Sequence, residues 1–206
     1  TFVVDPGSRA YVRHIDITGN TKTSDIVIRR EFRQMEGAWY PASKIKTSKQ
    51  KVERLDFFSE VNIETLPVPG TNDQLDVSLA VKEKPTGNFS IGAGVSSNVG
   101  VVFTGSVTQR NLFGTGNNLS TQINTGKVNQ VYSVSYTNPY YTDNGMSRGF
   151  DVYKRNVNST FTAISPYLSS TIGGGVRFGV PISDFENTHY GISAEKTELT
   201  LTDTSS

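Results

Sequence analysis

The stretch Asn88-Phe89-Ser90-Ile91-Gly92-Ala93-Gly94-Val95 places apolar residues at odd positions and small or polar ones at even positions. That is the period of a strand with two unlike faces. Val101 to Arg110 repeats it, with Val101, Phe103 and Val107 on one face and Thr104, Ser106, Thr108 and Arg110 on the other. The alternation returns in Leu119/Ile123, Tyr132/Val134/Tyr136, Phe150/Val152, Ile172/Val176/Phe178/Val180 and Tyr190/Ile192/Ala194. Seven strands of about 8–11 residues are therefore expected, the length that lets a tilted strand cross a bilayer. The second faces carry Gly, Ser, Gln and Asn with an occasional charge (Arg177, Glu195), as a watery lumen requires.

Connections alternate between the two strand ends. Asn111–Asn117, Asn138–Met146 and Pro181–Asn187 fall on the side of Pro85, and the aromatics Phe113, Tyr140, Tyr141 and Phe185 gather there like an interfacial girdle. The opposite side holds Ser96–Val99, Lys127–Gln130 and the longest connection, Val157–Leu168. A soluble β-sandwich or β-helix also alternates and also favours Gly and Ser, so the pattern alone leaves both readings open. Seven strands do not close an outer-membrane barrel, which has an even number.

Residues before and after Pro85 differ in kind. Positions 1–85 hold 13 Lys+Arg, 12 Asp+Glu and 4 Gly, whereas 86–206 hold 7, 7 and 15. The formal net charge of +1 removes the electrostatic case for nucleic acid. Zero Cys excludes disulfides, thiolate metal sites and thiol nucleophiles. No apolar run is long enough for a membrane helix. Thr1 to Pro6 lacks the basic start and apolar core of a signal peptide, so the chain reads as a fragment that opens mid-structure.

The charged part reads as a βααββ module. Tyr11–Ile17 alternates as a half-buried strand ending at Gly19-Asn20. Thr23-Ser24-Asp25 offers capping oxygens for a helix that carries Ile28, Phe32 and Met35 on one face and stops at Gly37. Pro41 and Ser43 open a second helix with Ile45, Val52 and Leu55 inward and lysines 44, 46, 49 and 51 outward. Strands at Phe58–Leu66 and Leu75–Val81 complete a three-stranded sheet covered by the two helices.

Arg29-Arg30-Glu31-Phe32-Arg33-Gln34-Met35-Glu36-Gly37-Ala38-Trp39 and Leu55-Asp56-Phe57-Phe58-Ser59-Glu60-Val61 closely resemble the membrane-proximal POTRA domain of the BamA family, the central subunits of the bacterial outer-membrane β-barrel assembly machinery. Val81-Lys82-Glu83-Lys84-Pro85-Thr86-Gly87 looks like the junction into that family's first barrel strand. Asn111-Leu112-Phe113-Gly114-Thr115-Gly116 and Thr137-Asn138-Pro139-Tyr140-Tyr141 resemble its early periplasmic turns.

The resemblance implies a tail of a preceding POTRA domain at 1–8, a membrane-proximal α+β POTRA domain at 9–85, and at 86–206 about seven of sixteen antiparallel transmembrane strands. It further implies folding and insertion of β-barrel proteins into the outer membrane, with the barrel in the membrane and the POTRA domain in the periplasm. A related POTRA-plus-barrel transporter, TamA-like or of two-partner secretion, is the alternative. The partners implied are BamD-like accessory lipoproteins, unfolded outer-membrane protein substrates and outer-membrane lipid, and no nucleic acid.

The first strand, Asn88, Phe89, Ser90, Ile91, Gly92, Ala93, Gly94 and Val95, is expected to be a seam for substrate strand pairing. Interior glycines weaken a strand, although they also clear space in a lumen. Glu36 resembles the family position that contacts the accessory lipoprotein, and Arg29, Arg30 and Arg33 are expected either to line the same surface or only to solvate the helix; a solvated surface carboxylate is the plainer reading of Glu36. No enzymatic activity, cofactor or metal site is expected. His14 and His189 lack partners at ligand spacing, Gly92-Ala93-Gly94 and Gly173-Gly174-Gly175 do not open helices, and no Gly-x-Ser-x-Gly elbow occurs.

Overall fold

The computed structural model describes residues 9–96, 100–161, 167–183 and 186–201. The segment 1–8 and Phe185, both given roles from the sequence, lie outside the described residues. The chain divides into two compact units. One runs to Thr86 and includes Phe113–Thr115, and the other comprises Gly87–Leu112 and the chain from Gly116 onward.

In the first unit, β1 (Tyr11–Thr18), α1 (Asp25–Arg29), α2 (Ala42–Arg54), β2 (Phe58–Pro67) and β3 (Gln74–Glu83) form a sheet of order β1-β3-β2. β1 runs parallel to β3 and β2 antiparallel to it. A parallel neighbour requires a crossover, and the two helices supply it. Val27, Ile28, Val52, Phe57, Phe58, Val61, Leu79 and Val81 form one buried cluster, and Val12, Ile15 and Val77 a second. Gly19 sits at φ +90° against the Val81 carbonyl, where a Cβ would collide, so the turn out of β1 is open only to glycine.

The first helix is shorter than its spacing predicts. α1 ends at Arg29, Phe32 packs from irregular backbone, and Met35 is 73% exposed. Side chains replace the helical ladder beyond this point. The buried Gln34 donates through Nε2 to the carbonyls of Met35 (3.1 Å), Ala38 (3.4 Å) and Trp39 (3.2 Å). Ser48 Oγ accepts the Arg33 N–H at 2.9 Å. Ser24 takes the N-cap position of α1 without a side-chain capping bond. A second departure concerns Lys51, which is 9% exposed rather than outward with lysines 44, 46 and 49. It follows Ser48 by three residues on the inner flank of α2, and its aliphatic stem tolerates that position.

Glu83 closes the unit. Its carboxylate accepts from Thr21 Oγ1 (2.9 Å), the Lys22 N–H (3.0 Å) and the Thr23 N–H (2.7 Å), fastening the loop before α1 to the end of β3. Partial burial raises the carboxyl pKa, but the hydrogen bonds from Thr23, Thr21 and Lys22 outweigh it and leave the group below its ordinary value.

The second unit is a seven-stranded antiparallel meander: β4 (Gly87–Ser96), β5 (Gly100–Leu112), β6 (Asn117–Thr125), β7 (Asn129–Asn138), β8 (Ser147–Asn158), β9 (Tyr167–Pro181) and β10 (Asn187–Leu201). Each strand pairs with the next in the chain, in the order β10-β9-β8-β7-β6-β5-β4. Several run longer than expected, up to 15 residues in β9 and β10. The two faces follow the parity of the sequence. Phe89, Ile91, Val101, Phe103, Val107, Ile123, Val134, Phe150, Val152, Ile172, Phe178 and Ile192 share the exposed outward face.

This apolar band slides along the sheet. Register carries Ile192 through Val176, Phe150, Tyr136, Leu119 and Gln109 to Gly87. Yet the apolar stretch of β4 is centred near Gly92, about five residues further along. At ~3.3 Å per residue and ~4.8 Å per strand spacing over six gaps, the band is level only if the strands lean by roughly 30°. Outer-membrane barrels lean about 35–45°.

Polar ties cross the opposite face. Asp151 on β8 pairs with Arg177 on β9 (Nε to Oδ2, 2.7 Å), and Arg177 also donates to Ser135 on β7 at 3.2 Å. Tyr153 on β8 lies over Gly173 on β9 and donates its hydroxyl to Glu195 on β10 at 2.6 Å. A Cβ at Gly173 would stand 2.7 Å from the Tyr153 ring, so the ring would move and the bond to Glu195 would break.

Two predictions follow from these contacts. Residues 9–86 alone fold in water, and the Glu83 contribution is present above the ordinary carboxylate pKa of about 4.3 and fades as pH falls through the lower folded value. Urea titrations of this fragment at pH 7 and pH 3 measure it: Glu83→Gln lowers stability at pH 7 and much less at pH 3. In the full-length protein, Gly173→Ala and Tyr153→Phe each lower the temperature at which the folded barrel band disappears on semi-native gels. Each loses the same hydrogen bond, about 1 kcal/mol, so the double variant is no worse than either single one.

Candidate functional site

Strand β4 is one edge of the seven-stranded sheet. Its whole length from Gly87 to Ser96 pairs with β5, Gln109 to Gly100. In an antiparallel ladder alternate residues turn their N–H and C=O to opposite sides, so every second residue from Asn88 to Val95 offers its pair to β5 and the others to the open edge. The outward side chains Phe89, Ile91 and Val95 are 76%, 82% and 84% exposed.

Among the described residues, one side-chain hydrogen bond joins Gly87–Val95 to β5: Thr104 Oγ1 to the Gly92 carbonyl, at 3.5 Å. Farther along the sheet the ties are shorter and more numerous. Beside the Asp151–Arg177 and Tyr153–Glu195 contacts stand Asn156–Gln130 (3.2 Å), Ser170–Asn156 (2.8 Å) and Thr171–Thr197 (2.9 Å). Glycine in β4 has two local settings. A Cβ at Gly92 would meet Thr104 Oγ1 at 2.6 Å, whereas one at Gly94 would meet nothing. Packing therefore accounts for Gly92 but not for Gly94.

The first unit brings Glu36 and Arg29 together. Glu36 Oε1 accepts the Ile15 N–H at 2.8 Å and lies 2.9 Å from His14 Nδ1 and 3.6 Å from Arg29 Nη1. Arg29 also donates to the Ile15 carbonyl (3.0 Å) and pairs with Asp25 (2.5 Å). Glu36 thus pins the irregular segment after α1 onto β1. Arg33 is exposed and is not among the partners of Glu36. Two exposed apolar residues belong to the same segment: Met35, which its helical spacing assigns to the core, and Trp39, 54% exposed and bridged through its backbone to Tyr11.

Among the described residues, no three His, Asp or Glu side chains converge as metal ligands. On the sheet's inner face Asp151 is tied to Arg177, and Glu195 to Tyr153, across strands, contacts that brace a wall.

The POTRA family (surface antigen variable number repeat) matches residues 10–84, and the Omp85 superfamily domain matches residues 111–206. The outer membrane protein assembly factor BamA of Neisseria meningitidis is 39% identical over 93% of this chain and 24% of its own length. BamA of Nitratidesulfovibrio vulgaris is 31% identical over 97% of this chain and 24% of its own length. The chain therefore spans about a quarter of the curated relatives it matches.

Among solved structures, BamA from Haemophilus ducreyi lacking POTRA domains 1–3 is similar at a TM-score of 0.75 and 32% identity, over 95% of this chain and 37% of that one. CdiB from Acinetobacter baumannii, at a TM-score of 0.62 and 14% identity over 95% of this chain and 39% of that one, shares the fold alone. With a periplasmic POTRA unit matched at its start and outer-membrane barrel strands matched at its end, the chain belongs to the Omp85 superfamily.

Proposed function

We propose that this chain is part of an assembly factor that folds and inserts β-barrel proteins into the bacterial outer membrane, and that Asn88–Val95 is the strand on which an incoming substrate strand pairs. The observation that carries the reading is the poverty of side-chain ties on Gly87–Val95 among the described residues, one bond at 3.5 Å against the cross-braced β7 to β10. Unpaired backbone groups in hydrocarbon cost several kcal/mol each, so an edge strand in a membrane must find a partner. A weakly tied edge can exchange that partner for a substrate strand by β-augmentation.

The work is strand pairing and needs no covalent step. Unfolded outer-membrane proteins are the substrates. An accessory lipoprotein, BamD-like, docks on the surface formed by Glu36, Arg29 and Arg33, with Met35 and Trp39 as apolar anchors beside the charged pair. The relatives at 31–39% identity carry the assembly-factor name, whereas the likeness to CdiB concerns the fold alone. That contrast favours assembly over the related transporter reading.

Proline tests the seam. It removes an N–H and is tolerated where that group faces an open edge. In the full-length protein, proline at one alternate set of Asn88–Val95 leaves the barrel folded and abolishes assembly of outer-membrane proteins, while alanine at the same positions is nearly silent. Complementation of a depleted strain reads the outcome. Tolerance of proline throughout would reduce β4 to a structural stave.

A further inference from the structure

We infer that the end of the outward face remote from Pro85, around Lys127 and Lys154, binds the phosphorylated headgroup of a membrane lipid. The inference rests on reading the second unit as barrel staves with this face toward lipid. Outward parity in β8 runs Phe150, Val152, Lys154, Asn156, Asn158, so the apolar band gives way to a cation and then to amides. β9 changes likewise from Val176 and Ile172 to Ser170, and β10 from Ile192 and Ala194 to Lys196 and Glu198. Register sets Lys154 directly beside Ile172, with Lys196 on the far side of it.

A shallow concavity of about 410 Å³ opens at this transition, lined by Lys127, Lys154, Asn156, Ser170, Glu198 and Thr200 among others. Its floor is fixed by hydrogen bonds, Asn156 Nδ2 to Gln130 Oε1 (3.2 Å) and Ser170 Oγ to Asn156 Oδ1 (2.8 Å). The one carboxylate in the lining, Glu198, is matched by Lys196 at 2.6 Å. Among the described residues neither Lys127 nor Lys154 has an acidic partner within ion-pair distance.

Two unmatched ammonium groups beside hydroxyls and amides, directly above an apolar surface, fit a ligand with an anionic phosphate on top and acyl chains below. Lysine stems lie along apolar surface and lift their charge to headgroup level. The acyl chains would cover Val152, Ile172 and Val134. A free phosphate would use only the upper half of this arrangement, and the adjoining apolar band is the reason to assign a lipid.

The test uses full-length protein in a neutral detergent and native mass spectrometry, with diphosphoryl lipid A and its dephosphorylated form as probes. The diphosphoryl form is expected to bind about tenfold more tightly or better, given two lysines at a headgroup phosphate. K127Q/K154Q loses this preference, K127R/K154R keeps it, and K46Q leaves it unchanged. Equal retention of both probes, an unchanged preference in K127Q/K154Q, or displacement of the lipid by millimolar inorganic phosphate would each overturn the assignment. Retention of dephosphorylated lipid A by every variant leaves the barrel reading standing when the site fails. Failure to retain either lipid, with no folded barrel band on a semi-native gel, counts against both.

Discussion

A peptide group left without a hydrogen-bond partner in hydrocarbon costs several kcal/mol, and the second unit is organised around that penalty. Seven consecutive strands pair neighbour to neighbour, so each internal strand has both edges satisfied, and among the described residues β4 and β10 form the two edges of this sheet. Outward alternation supplies the apolar band, and the drift of the band along the register sets the lean of the strands. Side chains then decide how firmly each pairing is held. Asp151, Arg177 and Ser135 span β7 to β9, and Tyr153 reaches over Gly173 to Glu195 on β10. Nothing comparable braces β4 among the described residues. A strand held mainly by its backbone is one whose partner can be exchanged, and the proposed function draws on that difference.

The first unit depends on the opposite device. Its sheet is closed by side chains that take over where regular structure stops. Gln34 and Ser48 satisfy the backbone after α1, Glu36 pins the same segment to β1, and Glu83 holds the loop ahead of it. The irregular stretch from Arg30 to Trp39 is therefore well fixed although it is not helical. It exposes Met35, Glu36 and Trp39 on one short segment. A rigid surface with an apolar pair and a charged group suits protein docking better than a mobile loop would.

Strand faces were legible because a period of two leaves little freedom: Phe89, Val107, Val134, Val152 and Ile192 fall outward wherever the strand limits are drawn. The end of α1 was not legible, since Ile28, Phe32 and Met35 keep helical spacing and the buried amide of Gln34 that overrides it is set by tertiary contacts. Lys51 misleads for a similar reason, its charge suggesting solvent while α2 turns it inward. Lys154 and Lys196 carried their signal openly, by sharing parity with Val152 and Ala194. The ties among Asp151, Arg177, Tyr153 and Glu195 join residues 26 and 42 positions apart, and only the register reveals them.

Amide hydrogen exchange on the full-length protein in lipid nanodiscs tests the central claim most directly, because it reads the opening of each pairing strand by strand. Amides of Gly87–Val95 are expected to exchange well before those of Tyr167–Pro181, by about one order of magnitude in rate or more. Equal protection of the two strands would contradict it, since β4 would then be held as firmly as the braced heart of the sheet.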